Sequence, residues 1–260
     1  EVAVGAQADK CRAVEIRVTG TVQGVGFRPH VFALASRLGL RGEVWNSSGE
    51  VGIFLEGPSS AVESFIAELR ARPPRLARIT SLQVREVEPR NPDGFQIVPS
   101  RESGPAAVTI PPDVALCDDC RREVFDPEDR HYQYPFTNCT NCGPRYTIIE
   151  SSPYDRSRTT MRSFPMCKSC GGEYEDPTDR RFHAQPTACP TCGPKVWLAN
   201  RKGKTVTSRN WRQAFRSVIR SGAIVAVKGL GGFHLCCDAR NERAVRELRR
   251  RKGRPHRPLA

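Results

Sequence analysis

Eight cysteines limit what this chain can fold into more than any other feature. They form four C-x2-C pairs: Cys117/Cys120, Cys139/Cys142, Cys167/Cys170 and Cys189/Cys192. The pairs fall into two copies of C-x2-C-x18-C-x2-C, offset by 50 residues. Glu123, Asp126, Pro127, Asp129, Arg130, Thr137, Gly143 and Pro144 recur as Glu173, Asp176, Pro177, Asp179, Arg180, Thr187, Gly193 and Pro194. A C-x2-C turn offers two thiolates to one cation, and two such turns complete the tetrahedral S4 set of structural zinc. A redox reading suits a single pair. Four pairs in register favour two closed metal sites, with zinc as a structural ion that cannot activate water. The ligand sets follow either the copies (117–142 and 167–192) or an interleaved pattern, and spacing leaves both open. His131 and His183 stand at non-equivalent places in the copies and read as ordinary surface or packing histidines. Apolar residues are sparse here, so little core is expected. Acidic and basic residues roughly balance, which speaks for a rigid spacer between domains rather than a phosphate-backbone contact.

The stretch before this repeat, residues 10–100, has a different texture. Val14, Ile16 and Val18 alternate with polar residues as in a half-buried strand. A glycine-rich loop runs from Gly20 to Gly26, and Pro29 suits the first turn of a helix with Val31, Phe32, Ala35 and Leu38 on one face, ended by Gly39. Val44-Trp45-Asn46 and Val51 to Leu55 flank Ser47-Ser48-Gly49-Glu50 as a hairpin. Ser60 with Glu63 predicts a capping box before the stripe Val62, Phe65, Ile66 and Leu69, and Pro73-Pro74 ends that helix. Strand material follows at Ile79–Val87 and Phe95–Val98. The order is βαββαβ, the ferredoxin-like α+β class. Pro99 to Asp113 reads as a linker, and 112–198 holds the tandem four-cysteine modules.

A third segment, 205–260, carries most of the charge. The whole chain is +13 at pH 7, yet residues 201–260 hold 17 Lys/Arg against 3 Asp/Glu, so the first 200 residues are close to neutral. Trp211, Phe215, Val218 and Ile219 predict a helix followed by Gly222, Ile224–Val227 a strand, and Asn241 a cap for a helix with Ala244, Val245 and Leu248. Between strand and helix lies Lys228-Gly229-Leu230-Gly231-Gly232-Phe233-His234-Leu235, read as a glycine-rich loop. Lys228, Gly229, Gly231, Gly232 and His234, with Lys252 and Arg254 after the arginine run, are candidates for a nucleotide site. A plain turn with a solvated basic helix is the other reading. The remaining cysteines, Cys11, Cys236 and Cys237, read as small buried hydrophobes without a role. The N-terminus shows neither basic n-region nor apolar h-region, and no apolar run is of membrane-spanning length, so a cytoplasmic, reducing setting is expected.

The loop from Gly20 to Arg28 is where chemistry is expected. Glycines let backbone N–H groups turn inward to form an anion nest, the helix start adds partial positive charge, and Arg28 brings a planar fork of donors. These nine residues match G-x-V-Q-G-V-x-F-R, and Gly42, Asn46 and Gly49 match a second pattern, so the segment resembles the acylphosphatases. That resemblance implies that Arg28 and the loop Gln23, Gly24, Val25, Gly26 and Phe27 hold a phosphate, and that Asn46 orients the attacking water. Lys252 to Leu259 resembles the K-G-R-P-x-x-P-L segment of YrdC-like nucleotide-binding domains. In this order the three segments resemble the N-terminal portion of the hydrogenase maturation carbamoyltransferase family, stopping inside the YrdC-like domain. The resemblance implies hydrolysis of carbamoyl phosphate, adenylation of the carbamate with ATP and Mg, and transfer to the C-terminal thiol of a HypE-like acceptor protein. That route supplies the cyanide ligands of nickel–iron hydrogenases; it involves no membrane, and nucleic acid is not an expected partner. The competing readings are a general acylphosphatase with appended fingers, and an RNA- or partner-binding finger module with a silent acylphosphatase-like platform.

Overall fold

A computed structural model describes residues 10–101, 109–206, 210–229 and 232–259. The chain divides into two compact units, Glu1–Pro194 and Lys195–Ala260.

The first unit opens on β1 (Cys11–Thr21), where Val14, Ile16 and Val18 are all fully buried on one face. α1 (Phe27–Arg37) follows the glycine loop, and Gly39, at φ 65°, turns the chain out of it. β2 (Arg41–Ser47) and β3 (Glu50–Pro58) form the hairpin, closed by Ser48-Gly49. α2 (Ser59–Ala71) buries Val62, Phe65, Ile66 and Leu69. The capping box at Ser60 and Glu63 does not mark its start: Pro58 is the N-cap, and the Glu63 carboxylate goes to Arg12. A proline already fixes φ at the boundary, so the helix begins two residues earlier without a hydroxyl cap.

β4 (Arg78–Glu86) and the short β5 (Phe95–Ile97) complete a five-stranded sheet of order β4-β1-β3-β2-β5. All neighbours are antiparallel except β2 and β5. This is the ferredoxin-like arrangement with one strand added at an edge. Both helices pack against the face that carries Val14, Ile16, Val18, Val44, Ile53 and Leu55. The opposite face has a smaller cluster of Ala13, Trp45 and Phe54.

The cysteine repeat builds the rest of this unit. α3 (Asp118–Phe125) and α4 (Lys168–Glu175) start directly after Cys117 and Cys167, which serve as their N-caps. Between the copies the chain runs through two 3-10 turns, Arg156–Arg158 and Thr160–Ser163. As expected, apolar packing is thin, centred on Tyr134, Ile148, Met161 and Ala188. The module's role differs from a spacer: it packs directly over the glycine loop of the sheet domain.

The second unit has α5 (Trp211–Arg220), β6 (Val225–Lys228), β7 (Phe233–Cys236) and α6 (Glu242–Lys252). Asn210 and Asn241 cap the two helices through their side chains. The expected loop between strand and helix is instead a hairpin: β6 and β7 pair antiparallel, Lys228 opposite Phe233 and Val227 opposite His234. Phe233 to Cys236 is apolar and aromatic enough to take a strand. Cys11 is exposed at the start of β1, contrary to the buried reading, while Cys236 and Cys237 are half-buried. Among the described residues no helix is long and apolar enough to cross a membrane.

Candidate active site and paired metal centres

The loop after β1 is shaped by its glycines. β1 bulges at Thr19/Gly20 against β4, and a Cβ at Gly20 would sit 2.1 Å from the Arg78 carbonyl oxygen. Gly24 and Gly26 take φ 70° and 73°, the left-handed conformation that glycine adopts without strain. Among the described residues, the backbone N–H groups of Gly24, Val25, Gly26, Phe27 and Arg28 donate to no protein acceptor. These donors gather where α1 begins, so the loop is equipped to bind an anion. Gln23 braces it: its Nε2 donates to Ser47 O at 2.7 Å and to Glu50 O at 3.1 Å in the β2–β3 turn.

Arg28, in the first turn of α1, is 9% exposed, and Asn46, on β2 opposite Val51, is 2% exposed. Gly42 lets β2 pass close to β3, since a Cβ there would lie 1.9 Å from Phe54 O. The hairpin thereby brings Asn46 beside Arg28, and both donate to one acceptor, the Tyr154 carbonyl, at 3.3 and 3.4 Å.

Tyr154 belongs to the segment between the fingers, and this segment roofs the loop. Its N–H donates to Gln23 Oε1 at 2.9 Å. The next residue, Asp155, places Oδ1 2.8 Å from Arg28 Nη2 and also accepts from the Ser100 hydroxyl. Arg145 latches the first finger to the loop. It is 2% exposed, with Nε donating to Gly24 O at 2.7 Å and Nη2 to Thr140 O at 2.7 Å. Phe32 of α1 meets Phe182 of the second finger edge-on at 5.4 Å. Together these walls bound a cavity of about 30 Å³, lined by Gln23, Gly24, Arg28, Asn46, Tyr154 and His183 among others. That is room for about two waters. Burial, then the Arg28 charge, pushes the His183 imidazole down to about 4, so it is neutral at pH 7.

The structure brings Arg28, Asn46 and the loop together, and gathers around them Arg145, Tyr154, Asp155 and His183, which the sequence did not single out for this place. One signal was available. Arg145 and His183 are positions where the copies differ, standing against Lys195 and Gln133. An internal duplication whose halves diverge at a buried site marks where only one half touches something else.

The cysteines gather by copy, which settles the open pairing: Cys117, Cys120, Cys139 and Cys142 form one cluster, and Cys167, Cys170, Cys189 and Cys192 the other. Sulfur separations are 3.7 and 3.8 Å in the first, and 3.6, 3.7 and 3.8 Å in the second. A tetrahedron with Zn–S bonds of about 2.3 Å has edges of roughly 3.8 Å, so both clusters fit a zinc ion. Hydrogen bonds from Cys120 and then Cys139 hold the Cys142 thiol well below its usual range.

The two clusters exchange supporting arginines. Arg180 of the second copy donates to Cys120 Sγ of the first at 3.0 Å and pairs with Glu123. Its counterpart Arg130 donates to Cys170 Sγ at 3.4 Å and to Glu173 at 3.0 Å. Each tetrathiolate is thus partly neutralised by a cation from the other finger. Glu123, Asp129 and His131 also lie close enough to hold a cation, but Glu123 is already paired with Arg180 and Arg181, and fully buried His131 leans on Asp129 at 3.1 Å.

In the second unit Lys228, Gly229, Gly232 and His234 share the β6–β7 hairpin, with the His234 ring against Gly229. Lys252 ends α6, and Arg254 follows its C-cap Gly253. Gly231 lies outside the described residues. These residues form no helix-N-terminal phosphate loop, because the turn leads into a strand.

Sheet order, glycine loop and the Arg28–Asn46 pair define an acylphosphatase-like domain, carried here under a tandem four-cysteine module. The sequence matches the Acylphosphatase family over residues 14–97, the HypF finger family over 116–149 and 166–199, and the family described as Telomere recombination over 217–260. It is 52% identical over 250 residues to the carbamoyltransferase HypF of Synechocystis, covering 96% of this chain and 32% of that protein. An acylphosphatase of Lactiplantibacillus plantarum is 41% identical over 87 residues, 33% of this chain and 97% of that protein. A crystal structure of full-length HypF in the phosphate- and nucleotide-bound form superposes with a TM-score of 0.91 and 47% identity, covering 98% of this chain and 33% of that one. The chain belongs to the HypF family, and spans about a third of the length of these HypF relatives.

Proposed function

We propose that the first unit hydrolyses carbamoyl phosphate. The phosphoryl group lies on the free N–H groups of Gly24–Arg28, with Arg28 holding the equatorial oxygens and Asn46 orienting water for in-line attack. An acyl phosphate is already activated, so positioning and charge stabilisation suffice, and no shifted general base is required. The zinc ions keep the roof in place and take no part in the bond changes. The observation that carries this reading is the convergence of loop donors, Arg28 and Asn46 on one cavity.

Within the longer protein, the carbamate supplies an ATP- and Mg-dependent adenylation at the YrdC-like segment, and the carbamoyl group passes to a HypE-like acceptor in nickel–iron hydrogenase maturation. The relatives are named carbamoyltransferases, and one was crystallised with phosphate and nucleotide, which supports both half-sites. Lys228, Gly229, Gly232, His234, Lys252 and Arg254 are the nucleotide-side residues of this reading. Free thiols grouped as metal ligands fit a cytoplasmic setting.

Orthophosphate release from carbamoyl phosphate tests the assignment. Arg28→Ala and Asn46→Ala should each lower kcat/KM by about 100-fold or more, with zinc content and far-UV circular dichroism unchanged. Normal turnover by both variants overturns it. The nucleic-acid reading gains little support, since Arg130, Arg145, Arg156, Arg180 and Arg181 are all engaged inside the finger module.

A further inference from the structure

We propose that His183 of the second finger is the acyl-side contact of this site, donating a ring N–H hydrogen bond to the oxygen that leaves with the carbamate. The inference rests on the carbamoyl phosphate reading and adds a group from outside the acylphosphatase-like domain.

The phosphate end of the cavity is already furnished by the loop, Arg28 and Asn46. The second finger adds His183, Ala184, Gln185 and Pro186 to the lining. Of these, His183 has the imidazole. It packs against Tyr174, tilted at 4.9 Å, and Phe182, edge-on at 4.7 Å between centroids. No hydrogen bond to either ring nitrogen occurs among the described residues. The backbone beneath is fixed: His183 N–H donates to Tyr174 O at 3.0 Å, and its carbonyl accepts from Gln185 Nε2 at 2.7 Å. The ring is therefore presented to the cavity by a rigid turn, with its hydrogen-bonding capacity unused. The first copy shows what the fold alone requires here. Gln133 has the same left-handed backbone, φ 56° against 52° for His183, and its N–H donates to Val124 O in the same way. The turn thus accepts glutamine; the imidazole stands in the copy whose turn lines the cavity.

The bond changes explain what such a donor does. Water adds to phosphorus, the P–O bond to the acyl oxygen breaks, and its electron pair leaves on that oxygen. Carbamoyl phosphate dianion and water give carbamate and dihydrogen phosphate, with both water protons retained on the phosphate. Charge grows on the acyl oxygen, so a donor placed there stabilises the transition state. A neutral donor is better suited than a cation. It releases the anionic product readily, and it does not protonate the carbamate nitrogen, the step that sends carbamate to carbon dioxide and ammonia. The groups facing the ring are Arg28, Asp155 and Tyr174; burial and Arg28 keep it unprotonated, against the weaker pull of Asp155.

The test uses the 260-residue chain with acetyl, carbamoyl and ring-substituted benzoyl phosphates. His183→Ala should lower kcat/KM by roughly 10–100-fold for the most basic leaving group and progressively less for better ones, while the Kd for orthophosphate stays within about twofold. His183→Gln, which keeps an N–H donor, should recover most of the loss. Equal losses across the series, or loss of orthophosphate binding in parallel, overturn the proposal and leave His183 as a prop for Arg28. Should no acyl phosphate be turned over by the unaltered chain, the carbamoyl phosphate reading itself falls. If the alanine variant does not fold, ring-nitrogen NMR of the unaltered chain decides: orthophosphate plus acetate must shift the His183 signals, and unmoved signals reject the contact.

Discussion

Asp155 is the residue whose effect is least intuitive. A carboxylate at 2.8 Å from Arg28 occupies part of the guanidinium that the proposed mechanism needs for phosphate. It holds the side chain in place and also competes with the incoming anion. Asp155→Asn should therefore tighten orthophosphate binding, by roughly threefold to tenfold in calorimetric titration. Unchanged or weaker binding would show that its positioning role dominates. Gln23 is the structural counterpart. It ties the loop, the β2–β3 turn and the Tyr154 N–H together, so Gln23→Ala leaves a buried N–H and a buried carbonyl unpaired. A loss of about 1–3 kcal/mol in urea unfolding is expected. His183 sets a pH dependence. Its folded value of about 4 lies below the 6.5 of a free histidine, so the unfolded chain binds the extra proton first as pH falls. Its contribution is intact above pH 6.5 and lost progressively towards pH 4. The difference in stability between the unaltered chain and His183→Gln should shrink or reverse across that window, which urea titrations at half-unit pH steps will show.

Among the elements, those with local signals were legible from the sequence. The alternation of Val14, Ile16 and Val18, the stripe on α2 and the Asn241 cap each depend on neighbours a few residues away. The glycine loop with Arg28 and Asn46 was legible because its spacing is itself the motif. The β6–β7 hairpin was not: glycines before an apolar tetrapeptide suit either a loop or a strand, and pairing with β6 decides between them. The fingers give the element-scale prediction. Since Arg180 serves Cys120, Arg180→Met in the second finger should weaken zinc binding in the first, by about 10–100-fold in affinity under chelator competition. Arg130→Met should do the converse. Cobalt substitution with one cluster disabled by cysteine-to-serine replacement identifies which site responds.

At the scale of the whole molecule, the roof over the loop is what the sequence withheld. Tyr154 lies 131 residues from Gln23 and 108 from Asn46, and no periodicity or motif reports a contact across such distances. The expectation of a spacer followed from the module's balanced charge, which describes a surface but says nothing of the face that docks. Zinc removal tests the consequence. Chelation should abolish orthophosphate binding at the loop even though the five-stranded sheet keeps its own hydrophobic core and circular dichroism. Retained binding in the stripped chain would mean that loop and Arg28 are organised without the roof.

The crossed arginines carry a lesson about descent. A duplicated module ordinarily gives its lineage a spare, and one half is free to decay or wander. Here each half lends the other a charge at its metal, so damage to either is inherited by both. Once that barter was established, the pair could be kept or discarded by evolution only as a single article, which binds the ancestry of two small motifs to one fate.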